Sequence, residues 1–171
     1  MIVVIMGVAG SGKTTVGQLL ATELNFGFLD GDSLHPSENI EKMTHGIPLT
    51  DADRAPWLAA IHVRILESFG RGEGLVVACS ALKQRYRDTL NTGAAITWVY
   101  LKGCEALIRE RLQHRQHHFM RPQMLASQFA DLEEPTDAIV IDNAVEPAVA
   151  VRQIVSALPG AKASNSKSEG H

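Results

Sequence analysis

The chain has 171 residues, 45% hydrophobic and 20% charged, which excludes a disordered chain, a collagen-like repeat and a disulfide scaffold. Sixteen Lys and Arg against 19 Asp and Glu leave a net charge of −3, which argues against a nucleic-acid binder but leaves room for a local basic pocket. Cys79 and Cys104 form no CxxC pair, and the opening MIVVIMG has neither a basic leader nor a span-length apolar run, so a cytoplasmic protein without a membrane segment is expected.

Strand-like apolar runs fall at residues 2–6, 26–29, 75–79, 96–101 and 138–141. They are rich in Val and Ile with little alternation, as suits parallel strands covered on both faces. Helical patterns lie between them. Val16, Leu19, Leu20 and Leu24 make one stripe; Leu58, Ile61, Ile65 and Phe69 make another, opening at Thr50 with Asp53 three residues on, a capping-box spacing. Asp51 and Asp53 are expected to serve that helix start. Further helices are expected at 82–90, 105–115, 123–132 and 147–158. Alternating strands and helices predict a three-layer α/β domain over residues 1–158. The polar, small-residue stretch 159–171 is expected to be a disordered tail.

Between the first strand and the first helix stands Gly7-Val8-Ala9-Gly10-Ser11-Gly12-Lys13-Thr14, a match to GxxxxGK(S/T). The glycines let successive backbone N–H groups turn inward around an anion, and the helix behind adds a partial positive charge. Lys13 can reach the outer phosphates of a nucleoside triphosphate, and the Thr14 hydroxyl is placed for Mg²⁺. The dinucleotide pattern GxGxxG fails, because Thr15 stands where its third glycine belongs. Asp142, at the end of the last strand run, reads as a strand-end or helix-capping residue.

Asp30-Gly31-Asp32 closes the second strand, at the sheet edge where ligands of parallel sheets gather. One acid can support the metal while the other accepts a proton from an attacking hydroxyl. Ser80, just past the third strand, is either a donor near the transferred phosphate or a helix cap.

The blocks Leu29-Asp30-Gly31-Asp32-x-Leu34-His35-Pro36, Asn39-Ile40-Glu41-Lys42-Met43 and Cys79-Ser80-Ala81-Leu82-Lys83-x-x-Tyr86-Arg87 follow the phosphate loop. With Gln123-Met124-Leu125-x-Ser127-Gln128-Phe129 later in the chain, they resemble the gluconokinase family of small P-loop kinases over residues 1 to about 158. The resemblance implies a five-stranded parallel sheet of order 2-3-1-4-5, a helical lid at about 114–122 and a homodimer. It implies ATP and Mg²⁺, D-gluconate as acceptor, and 6-phospho-D-gluconate as product. By analogy with shikimate kinases it implies that Asp32 holds the acceptor hydroxyl and acts as base, with Asp30 supporting Mg²⁺ through water.

A sugar acid needs a cationic fork and several hydrogen-bond partners. Arg54 can supply a bidentate clamp. His35, Lys83 and Arg87 are further candidates, each equally readable as a solvated polar residue on a helix face. Arg109, Arg111 and Arg115 precede a His-rich stretch, and lid arginines there, Arg111 and Arg115, would close over the triphosphate and exclude water. His114, His117 and His118 lack a fourth ligand nearby for a zinc site.

Overall fold

The computed structural model of the chain describes residues 1–113 and 122–160. Five parallel strands run β1 Ile2–Met6, β2 Gly27–Asp30, β3 Leu75–Ala78, β4 Ile96–Lys102 and β5 Ile139–Asp142, in the order β2-β3-β1-β4-β5. Ile2 of β1 lies beside Leu75 on one side and Ile96 on the other. Every residue of β1 is fully buried, and alternate side chains feed two cores. Ile2, Val4 and Met6 pack with Trp57, Ile61 and Ile65; Val3 and Ile5 pack with Val16, Leu20, Val151 and Ile154. An unbroken apolar strand is thus the central strand of a three-layer sandwich, and each Ile or Val so buried stabilises the fold by about 1.5–3 kcal/mol.

Among the described residues the helices are α1 Lys13–Leu24, α2 Ser37–Thr44, α3 Asp51–Gly70, α4 Gln84–Asn91, α5 Glu105–Gln113, α6 Pro122–Asp131 and α7 Pro147–Ala157, with one 3-10 turn at Gly31–Leu34. Among the described residues, no helix is long and apolar enough to cross a membrane. The box expected at Thr50 is formed: Asp53 N donates to Thr50 Oγ1 at 3.2 Å and Thr50 N donates to Asp53 Oδ2 at 2.8 Å. Asp53 also receives Lys42 Nζ at 2.7 Å, which ties α2 to α3.

Several boundaries differ from the sequence pattern for local reasons. Phe26 does not open β2, because Asn25 adopts φ 54° and Phe26 N returns to Ala21 O at 2.9 Å, closing α1. Leu82 does not open α4, because Ala81 takes φ 41° and Lys83 is extended. Helix α2 lacks an apolar stripe: only Asn39 is buried, held by Nδ2 to Asp53 O at 2.8 Å. The carboxyl ends of β1, β2 and β3 deliver the 7–14 loop, Asp30 and Ser80 to one edge of the sheet.

Candidate active site

The loop 7–14 forms a cradle between β1 and α1. Gly7 has φ 147°, and a Cβ there would meet Ser11 Oγ at 2.8 Å and Leu101 O at 2.9 Å, so both conformation and space demand glycine. Gly12, at φ 96°, is the N-cap of α1 and offers no side-chain cap, which leaves the first N–H groups of the helix for an anion. Lys13 Nζ donates to Val8 O at 2.9 Å, folding the side chain back along the loop. Gln128 of α6 reaches the same loop, accepting from Ala9 N through Oε1 at 2.7 Å.

The two acids stand opposite. Thr14 Oγ1 donates to Asp30 Oδ2 at 3.0 Å, and Asp30 Oδ1 caps the 3-10 turn by accepting from Asp32 N at 3.1 Å. Gly31 between them is buried, and a Cβ there would lie 2.8 Å from Ala78 O. Trp57 Nε1 donates to Gly31 O at 2.7 Å. The Asp-Gly-Asp turn is therefore fixed from both sides of the sheet edge, which aims both carboxylates consistently.

A cavity of about 460 Å³ opens in front of the acids. Its polar lining includes Lys13, Thr14, Asp30, Asp32, His35 and Arg54, with Ser80 and Tyr86 at its wall. His35 stacks on Trp57 with centroids 4.3 Å apart and planes 12° from parallel. Burial lowers the His35 pKa; Asp32 works against that shift and Arg54 adds to it. Ser80 is part of this wall and is not the cap of α4, since Lys83 holds that position.

Two expected acceptor ligands lie elsewhere. Arg87 is 2% exposed, and its guanidinium is committed to Ala81 O at 3.0 Å, Leu82 O at 3.1 Å, Gln84 Oε1 at 2.7 Å and Glu133 O at 3.0 Å. It holds the loop behind Ser80 and does not line the cavity, because four acceptors from the chain itself surround it; burial lowers its pKa. Lys83 also stands outside the cavity lining, paired with Asp51 and Asp131 at 3.3 Å each. Burial works against its charge and is outweighed by those two carboxylates, so its pKa rises. Asp51 stands in the first turn of α3 as expected, and its carboxylate also joins this cluster, where Tyr86 together with Lys83 and Arg85 draws it down to about 2. Cys79, buried beneath the site, has its thiol pushed up to about 12 by burial and plays no nucleophilic part.

A second cavity of about 580 Å³ lies on the other flank of the cradle, bounded by Gly10, Gly12, Leu107, Arg111, Asn143 and Pro147. Arg111 Nη2 donates to Asn143 O at 2.7 Å. Asn143 Nδ2 donates to Ser11 O at 3.4 Å, while Asn143 Oδ1 and Ser11 Oγ are buried with no partner among the described residues. Arg111, expected on the triphosphate, borders this cavity from α5. Asn143 and Val145 were not foreseen; their only signal is their place just past the end of a predicted strand. Asp142 behaves as a strand-end residue, its Oδ1 accepting from Ala144 N at 2.9 Å. Arg109 pairs with Glu105 along α5. Arg115, the three histidines and the lid expected at 114–122 lie outside the described residues, apart from Pro122, which opens α6; so does the expected tail from residue 161 on.

The oxygen donors Thr14 and Asp30 suit Mg²⁺, a hard cation that keeps several waters and leans on one or two protein oxygens plus phosphate. Among the described residues, no group of three or more His, Cys, Asp or Glu gathers into a closed metal cage.

Residues 9–158 match the family model described as shikimate kinase. A gluconokinase from Gluconobacter oxydans (strain 621H) is 45% identical over 156 residues, covering 89% of this chain and 88% of that protein. The thermoresistant gluconokinase from Escherichia coli (strain K12) is 46% identical over 146 residues, covering 82% and 83%. The crystal structure of a gluconokinase from Sinorhizobium meliloti 1021 superposes with a TM-score of 0.81 at 44% identity, over 90% of this chain and 89% of that one.

Proposed function

The chain belongs to the gluconokinase family of P-loop kinases, and on that premise we propose that it transfers the γ-phosphoryl group of ATP to D-gluconate, giving ADP and 6-phospho-D-gluconate. The observation that carries this reading is the meeting of two cavities at one cradle. The flank at Arg111 and Asn143 has the size and buried polar atoms to take a nucleoside. The flank at Asp32 and Arg54 has an acid and a cation to take a hydroxylated carboxylate.

The reaction is in-line displacement, dominated by positioning and electrostatics. The cradle amides and Lys13 hold the β- and γ-phosphates. Asp32 accepts the proton of the attacking hydroxyl as its oxygen bonds to phosphorus and the bond from phosphorus to the ADP oxygen breaks. Arg54 grips the acceptor carboxylate at the far end, which sets the terminal hydroxyl toward the phosphate. Thr14 and Asp30 would hold Mg²⁺, Asp30 through water, and the ion when bound neutralises phosphate charge. Arg111 orients the nucleoside side, and Arg115 is assigned to the charge that develops on the transferred group. His35 lends a neutral ring to the acceptor wall.

The kinase domain is taken as residues 1–158, working as a cytoplasmic homodimer; truncation after residue 158 and sedimentation of the full chain address those two points. The deciding experiment is coupled ADP release with gluconate, other sugar acids, shikimate and nucleoside monophosphates, with the product's phosphate position read by NMR. Turnover is expected with gluconate and absent with Lys13→Ala. Turnover with shikimate or a nucleotide alone would replace the acceptor. ATP binding without any acceptor-dependent turnover would mark a non-catalytic module.

A further inference from the structure

Four side chains from α3, α4 and α6, together with Lys83 just before α4, close a five-membered ring beside the acceptor cavity. Tyr86 Oη donates to Asp51 and accepts from Arg54 Nη1 at 3.0 Å. Arg54 Nη1 also donates to Asp131 Oδ2 at 3.2 Å. Asp131 Oδ1 pairs with Lys83 Nζ at 3.3 Å, and Lys83 Nζ returns to Asp51 Oδ1 at 3.3 Å. Two acids, two cations and a phenol make the ring neutral.

Only Arg54 and Tyr86 of the five line the cavity. Both ring contacts of Arg54 use Nη1; among the described residues, Nη2 and Nε have no hydrogen-bond partner. The Arg54 side chain is 12% exposed, so its remaining N–H edge is held where solvent screening is weak. A free arginine would lose about 2 kcal/mol of rotamer entropy on gripping a ligand; a ring that already fixes the side chain removes much of that loss from the binding step.

We propose that Asp131 is a positioning residue for the acceptor: from outside the cavity it fixes Arg54 Nη1 and turns the remaining N–H edge toward the substrate's carboxylate. This rests on the reading of Arg54 as the clamp for a sugar acid. A carboxylate in contact with that clamp could instead compete with the substrate. Its position argues otherwise: Asp131 is absent from the cavity lining, and its other oxygen is held by Lys83, so an incoming carboxylate need not displace it.

The two roles predict opposite signs. In steady-state kinetics on the full chain, Asp131→Ala should raise KM for gluconate about tenfold, with kcat and KM for ATP within about twofold, the scale of one charge-assisted hydrogen bond. Asp131→Asn, which keeps an acceptor oxygen, should recover part of the loss. D-glucitol, the uncharged polyol of the same length, should inhibit wild type and Asp131→Ala equally. A lower or unchanged KM for gluconate in Asp131→Ala, or glucitol inhibition weakened as much as gluconate binding, overturns the role. Arg54→Met separates the two levels. If it leaves KM for gluconate unchanged, the clamp itself is wrong and the positioning role goes with it. If it raises KM while Asp131→Ala does not, only the positioning role is lost.

Discussion

Thr14 and Asp30 share a hydrogen bond of 3.0 Å that joins the first turn of α1 to the last residue of β2. A hydroxyl from the cradle and a carboxylate from the acid turn thus meet at one point in the lining of the acceptor cavity. Asp30 is also the cap of the 3-10 turn that carries Asp32, so the residue assigned to the metal fixes the residue assigned to the proton.

Asp30→Asn keeps the cap geometry in reach but removes the charge behind Mg²⁺. Activity at saturating ATP and limiting Mg²⁺ should fall about 10–100-fold, the usual loss for an outer-shell metal partner. Excess Mg²⁺ should recover part of it. A Mg²⁺ titration of ADP release with an unchanged midpoint would remove Asp30 from that role.

Arg111→Ala tests the nucleoside flank independently. The side chain donates to Asn143 O at 2.7 Å and borders the cavity beside Gly10 and Gly12. Loss of a charged donor should raise KM for ATP about 10–100-fold while KM for gluconate stays near wild type. An effect on the acceptor alone would reassign this cavity.

How much of this was readable in the residues depends on where each determinant sits. The cradle was legible because its spacing is its chemistry: Gly12 acts through its own backbone at the helix start, and Lys13 folds back onto Val8 O only a few residues away. The Thr50–Asp53 box was legible for the same reason. Arg87 was not, because Arg87 and Lys83 look alike as cations near one helix start. Only the packing of α6 and its following loop reveals that Glu133 O closes over one of them. Helix α2 was illegible because its single buried residue, Asn39, is polar and finds its partner on another helix. Asn143 contacts Ser11 from 132 residues away, a meeting that depends on the strand order and has no local mark.

Arg87→Met should destabilise the fold without touching substrate. The change removes the donors of the Ala81 and Glu133 carbonyls and leaves Leu82 O with Glu133 N alone, a cost of about 3 kcal/mol. For a chain of this size that lowers Tm by roughly 6–12 °C. Arg87→Lys should recover little, since one ammonium cannot reproduce a planar fork spread over four acceptors. Equal melting temperatures for wild type and both variants would show the buried guanidinium to be dispensable.

His35 makes stability depend on pH with a definite sign. Burial lowers its pKa below the ordinary 6.5, with Asp32 opposing and Arg54 adding to the shift. Below 6.5 the unfolded chain takes the proton before the folded one does, so the unfolded state binds more protons and stability rises with pH through that window. The stabilisation is therefore fully present above 6.5 and is lost as pH falls through the folded value. Melting curves at constant ionic strength should show wild-type Tm dropping between roughly pH 7 and roughly pH 5.5, and dropping less in His35→Phe, which keeps a ring against Trp57 and has nothing to titrate there. Parallel curves for the two proteins would mean that the imidazole is not held neutral by its surroundings. A contribution from Asp51 and Asp53, lost between roughly pH 4 and pH 2, would persist in the variant. Both are held at about 2, Asp51 chiefly by Tyr86 and Asp53 chiefly by Lys42.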